Sequence, residues 1–274
     1  MSISEATPTC TVRVGPLAYE IRSVAPGLID ALIFVYPGFT GAAVARPDLR
    51  LEVTVIGRER ELYDPEPALH LQGNRLIIDA PGYQGILESD GTAHLEVSTV
   101  NPVGEVDLFL RIVTAVLALW RGGILMHTAG VVHEGKAYLF FGHSGSGKTT
   151  SSRLSAPRQV LNDDGILLFL ESEGWVAYGT PFTNPTQVPP SPGRAPLGGI
   201  YRLVKDSEVF IAPISSAALL AELLSCVPIL AAMPQEIAHV MQIETDIIQK
   251  VVGGYLHFRK DPSFWEVIPG ANNR

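Results

Sequence analysis

The stretch Lys136-Ala137-Tyr138-Leu139-Phe140-Phe141-Gly142-His143-Ser144-Gly145-Ser146-Gly147-Lys148-Thr149 decides how this chain is read. It opens as an apolar strand and closes on a segment that satisfies G-x-x-x-x-G-K-[ST] in full. Glycines let a backbone turn its N–H groups inward as an anion nest, and the helix that follows adds its positive end. Lys148 then reaches the β- and γ-phosphates of a nucleotide, and the Thr149 hydroxyl ligates Mg²⁺. An ordinary glycine turn has no use for a lysine and a hydroxyl at those two places. The expected nucleotide contacts are Gly142, His143, Ser144, Gly145, Ser146, Gly147, Lys148, Thr149 and the adjoining Thr150.

Working outward, the helix after Thr149 is short and ends by Pro157. Val160-Leu161-Asn162-Asp163-Asp164 follows at once, a short strand closed by two carboxylates. One can hold Mg²⁺ while the other accepts the proton of an attacking hydroxyl, and their repulsion drives their titrations apart. The bland alternative is an Asx-rich turn before Gly165. On the upstream side, Ala129 to His133 and the turn Glu134-Gly135 pair the feeding strand with its immediate predecessor. That hairpin and the early acid pair point away from motor ATPases and translation-type GTPases, and no N-K-x-D segment is present. His127 opens this half; alone, it reads as structural. His143 sits in the loop and faces either solvent or the phosphates. His70, His94, His133, His239 and His257 have no partners at metal-ligand spacing.

The 274 residues allow one large domain or two modest ones, and a proper core either way. Hydrophobic residues at 46% against 18% charged describe a globular chain whose low charge reflects a large core or subunit contacts. A net charge of -8 repels phosphate backbones and excludes nucleic acid as a partner. Residues 1–100 read as a mainly antiparallel β layer. Thr11 to Val14 and Leu17 to Ile21 flank Gly15-Pro16, Leu51, Val53 and Val55 alternate, and Gly73-Asn74 and Asp90-Gly91 mark hairpins. From residue 101, Leu108, Ile112, Val116, Leu119 and Trp120 recur at helical spacing over about four turns. Residues 101–274 form the second region, in which Pro181 to Pro196 is expected to be a loop.

Ser215 to Met233 is nearly apolar, but Glu222 and Pro228 interrupt it, so a buried helix pair is expected and no membrane span. Cys10 and Cys226 are isolated thiols without a disulfide or zinc pattern. Met1 to Glu5 has neither a basic nor an apolar export region, which predicts a cytoplasmic chain.

Together, Met126-His127, the strand Lys136 to Phe141, the glycine-rich loop and Asp163-Asp164 resemble the catalytic domain of HPr kinase/phosphorylase, a distant structural relative of phosphoenolpyruvate carboxykinase. Gly179-Thr180-Pro181-Phe182, Ala195-Pro196-Leu197, Tyr255 to Phe258 and Phe264-Trp265 resemble uncharacterised kinases related to it. The resemblance spans residues 120–268. It implies an α+β fold, with a P-loop on a mixed or antiparallel sheet behind a β-rich N-terminal region. It makes Lys148 and Thr149 the phosphate and magnesium residues and His127 part of the active-site rim. Asp163 becomes the proton acceptor, and Asp164 lies nearer the metal. The family's second signature, with a glutamate and an arginine, has no counterpart. Between Pro181 and Gly199 there is no acidic residue and Arg194 is the sole basic one, offered as a phosphate contact. Neither phosphorolysis nor HPr as substrate therefore follows from the resemblance.

The expected function is an ATP- and Mg²⁺-dependent kinase acting on a hydroxyl of a small molecule or peptide, in a homo-oligomer. The competing class is a nucleotide-sensing module with no acceptor, for which a base has no purpose. A carboxykinase-like enzyme ranks last, because a dicarboxylate requires a cationic cluster that the chain hardly offers.

Overall fold

The computed structural model describes residues 7–57, 67–73, 75–182 and 188–269. The readings of Met1 to Glu5, of Asn74 and of part of the Pro181 to Pro196 stretch lie outside these residues. The chain forms two compact units that divide between Thr114 and Ala115.

In the first unit, β1 (Thr9–Val14) and β2 (Leu17–Arg22) make the first hairpin, followed by α1 (Leu28–Val35) and β3 (Thr40–Gly41). Then come β4 (Leu49–Ile56), β5 (Ala68–Gln72), β6 (Arg75–Asp79), β7 (Tyr83–Glu88) and β8 (Thr92–Ser98). They form one sheet in the order β3-β1-β2-β4-β8-β7-β6-β5. Most pairings are antiparallel as expected, but β4 runs parallel to both β2 and β8. Alternation sets the faces: Leu49, Leu51 and Val53 are buried while Arg50, Glu52 and Thr54 are exposed. Helix α2 (Pro102–Trp120) is a turn longer than its periodicity suggested. Asn101 Oδ1 accepts from the Gly104 N–H at its start. Buried Glu105 takes both the N–H and the hydroxyl of Ser98, each at 2.6 Å. Phe109 lies so close to Gly85 that a Cβ there would stand 2.2 Å from the ring.

The second unit opens with β9 (Ile124–Met126), β10 (Ala129–His133) and β11 (Lys136–Phe141). Glu134 and Gly135, at φ 48° and 78°, form the expected tight turn between β10 and β11. After the glycine-rich loop come α3 (Lys148–Leu154), β12 (Gln159–Asn162), β13 (Ile166–Glu171), β14 (Gly174–Gly179) and β15 (Arg194–Lys205). The remainder is β16 (Phe210–Ala212), α4 (Ser216–Leu224), α5 (Ile237–Lys250), β17 (Val252–Phe258) and a 3₁₀ turn at Pro262–Glu266. The sheet runs β12-β10-β11-β15-β14-β13-β9, with β17 also pairing β15.

Two expectations need correction here. The Pro181 to Pro196 stretch is not all loop, because β15 starts at Arg194 and Pro196 pairs with Val176 of β14. Pro196 is tolerated because the register with β11 begins only at Leu197, so its missing N–H falls where β15 is paired on one side. The expected helix pair is one helix, α4, followed by a 3₁₀ turn at Pro228–Ala231. Among the described residues, no helix is long and apolar enough to cross a membrane.

The core beneath the loop is aromatic. Tyr138, Phe140, Tyr201, Phe258, Phe264 and Trp265 pack in one buried cluster, and burying each large apolar side chain contributes roughly 1.5–3 kcal/mol. Trp265 is also tied to α3, since its Nε1 donates to Ser155 Oγ at 3.1 Å and Ser155 Oγ donates to the Ser151 carbonyl at 2.7 Å.

Candidate active site

Strand direction assembles the site. Strands β11, β15 and β17 run parallel, and β12 shares their direction because both it and β11 are antiparallel to β10. Their carboxyl ends therefore meet at one edge, the place where sheet proteins of this kind bind ligands. There the chain presents the glycine-rich loop after β11, Asp163-Asp164 after β12 and Lys205 at the end of β15.

The loop's glycines occupy conformations that other residues rarely adopt: φ is 147° at Gly142, 77° at Gly145 and 113° at Gly147. A Cβ on Gly147 would also stand 2.7 Å from Phe258 Cζ, so the loop lies directly on the aromatic core. Lys148 Nζ donates to the Gly142 carbonyl at 3.0 Å, which folds the ammonium back over the loop. A cavity of about 580 Å³ opens above it, walled by loop residues 142–150, His127, Asp163, Asp164, Lys205, Ser225 and Cys226.

The acid pair is built by Asn162. Its Oδ1 accepts from the Asp164 N–H at 2.7 Å and the Gly165 N–H at 3.1 Å, while its Nδ2 donates to the carbonyls of Thr180 and Phe182. The Asx turn weighed from sequence is therefore real, and it is what carries the two carboxylates to the loop. Asp163 is 1% exposed and shares the cavity wall with Thr149. Burial raises the Asp163 pKa. The nearby Thr149 hydroxyl and the Val188 N–H, which donates to Oδ2, oppose that rise, and the Asp164 charge adds to it. Asp163 Oδ1 is buried and has no hydrogen-bond partner among the described residues. His127 Nε2 lies 3.1 Å from Asp164 Oδ1, and the His127 N–H donates to the Cys226 carbonyl at 2.7 Å.

The donor set suits a phosphate-bound Mg²⁺. Among the described residues no group of three or more His, Cys, Asp or Glu side chains forms a cage for an ion. A hydroxyl and one or two carboxylates beside a glycine-rich loop would fit an ion that takes its remaining ligands from a bound phosphate and water.

The structure thus brings together His127, residues 142–150, Asp163 and Asp164. Arg194 is not with them. It starts β15, at the sheet edge opposite the loop, and its Nη1 lies 3.0 Å from Glu171 Oε1. Its proposed phosphate contact is therefore corrected: parallel pairing with β11 puts the other end of β15 at the loop. Lys205 at that end, and Ser225 and Cys226 after α4, escaped sequence reading. The one available signal was that a strand parallel to β11 delivers its last residues to the loop.

No family model matches the chain. It is 28% identical over 181 residues to phosphoenolpyruvate carboxykinase (ATP) 2 of Moorella thermoacetica, a match covering 58% of this chain and 32% of that protein. The chain therefore matches about a third of that relative's length. The similarity supports a carboxykinase-like relationship at most and does not single out HPr kinase.

Proposed function

We propose that this chain is an ATP- and Mg²⁺-dependent phosphotransferase of HPr kinase-like type that moves the γ-phosphoryl group to a hydroxyl acceptor. The observation that carries this reading is the convergence on one cavity of the glycine-rich loop, Lys148 and Thr149 with the acid pair Asp163 and Asp164. A module that only senses nucleotide needs the loop but has no use for a carboxylate pair beside it, one of the two fully buried. The similarity to a carboxykinase named for ATP supports ATP as donor.

In this reading the loop amides and Lys148 hold the triphosphate. Bound Mg²⁺, held by Thr149 and Asp164, would neutralise charge on the β- and γ-oxygens. His127 fixes Asp164 from the side. The acceptor oxygen bonds to the γ-phosphorus as the bond to the β-bridging oxygen breaks, ADP departs, and the hydroxyl proton passes to Asp163. The partnerless Oδ1 of Asp163 supports that role, and its raised pKa makes it a stronger base than an exposed aspartate. The reading includes a cytoplasmic homo-oligomer, for which the low charged fraction is the support.

Lys148→Ala is expected to abolish ATP binding or turnover. Asp163→Asn is expected to retain binding and lose transfer by about two orders of magnitude or more. The assay incubates the chain with γ-labelled ATP and a cell extract and follows label into products other than free phosphate. An asparagine variant that transfers at the normal rate removes Asp163 from the chemistry.

A further inference from the structure

We infer that Lys205 is a second polyphosphate-binding cation, gripping the nucleotide's phosphate chain from the flank of the loop opposite the acid pair; this rests on the nucleotide reading above. Along β15, Tyr201 and Leu203 point into the aromatic cluster against which Leu154 of α3 also packs. Lys205 lies two residues beyond Leu203, so strand alternation sends it to the face that carries the loop and α3. Its Cα partner is Phe258, the residue whose ring supports Gly147. Its side chain lines the cavity above the loop.

Among the described residues, the neighbouring charges are engaged elsewhere and leave this ammonium unpaired. Arg202, on the opposite face of β15, is taken by Glu222 at 3.1 Å. Asp206, next in the chain, is taken by His257 at 2.8 Å. An exposed lysine with no carboxylate partner among the described residues, beside the glycine-rich loop, adds to a field that attracts anions. Strand β10 separates β11 from β12 and its acids, whereas β15 adjoins β11 directly, so Lys205 and the carboxylates flank the loop from opposite sides. The phosphate chain between them would be held by Lys148 from within and Lys205 from the side.

The test is calorimetric titration of the full chain with MgATP and, separately, with inorganic tripolyphosphate. Lys205→Met is expected to weaken both about tenfold, the loss typical of a charged hydrogen bond. Lys205→Glu should weaken both further, and Lys205→Arg should stay near the parent chain, an order that follows charge and that a purely structural role would not produce. Equal affinity in the methionine variant overturns the inference. So does a loss seen with ATP but absent with tripolyphosphate, which would place Lys205 on the nucleoside. Failure of the unaltered chain to bind MgATP would instead sink the nucleotide reading itself.

Discussion

Glu244 of α5 is fully buried, neither carboxylate oxygen has a hydrogen-bond partner among the described residues, and burial pushes its pKa to about 8. The group that shares its field is the Cys226 thiol, itself raised by burial to about 11. A carboxyl in this setting folds in its neutral form. Its folded pKa lies above the unfolded value of 4.5, so between those two the folded state keeps a proton that the unfolded state has released. Stability therefore falls as pH rises through that window, by about 1.4 kcal/mol per unit, and the loss levels off above the folded pKa. At neutral pH the accumulated penalty is about 3 kcal/mol, a large share of a typical domain's stability. Glu244→Gln keeps the shape and cannot ionise, so it should match the parent chain at about pH 4 and exceed it by about 3 kcal/mol at about pH 7. Guanidinium denaturation of both chains across that range gives the difference directly. If the difference between them does not change with pH, Glu244 does not carry this penalty and the account of its burial is wrong.

Two further substitutions probe the loop and the first sheet. Gly147→Ala combines a forbidden φ with a Cβ 2.7 Å from the Phe258 ring, so ATP affinity should fall at least about tenfold while circular dichroism stays native. Gly85→Ala drives a methyl into Phe109, and the overpacking should cost about 1–3 kcal/mol in chemical denaturation, with recovery in the double variant Gly85→Ala/Phe109→Leu.

What could be read from sequence was local. The β10–β11 hairpin, the loop, the short α3 and the acid pair all lie between Ala129 and Asp164, where turn residues and spacing decide the outcome. Helix α1 escaped notice because Leu28–Val35 is almost wholly apolar and has no polar face to show a period; Phe34 is 84% exposed. The parallel pairings β2–β4, β4–β8 and β11–β15 escaped because each joins segments that share no turn. The error at Arg194 has the same origin. Its charge was legible, but the end of the sheet it occupies is set by the register with β11, which local pattern does not contain. Lys205 was missed for the converse reason.

The parallel pairing of β11 with β15, and of β15 with β17, also bears on synthesis. While the chain is being made, Tyr138, Phe140 and Phe141 emerge from the ribosome well before the strands that cover them. Until then the flank of β11 that later receives β15 is an open, sticky template, and long-range parallel pairing closes slowly. Gly147 rests on the ring of Phe258, so the glycine-rich loop gains that support only once β17 has been made, more than a hundred residues later.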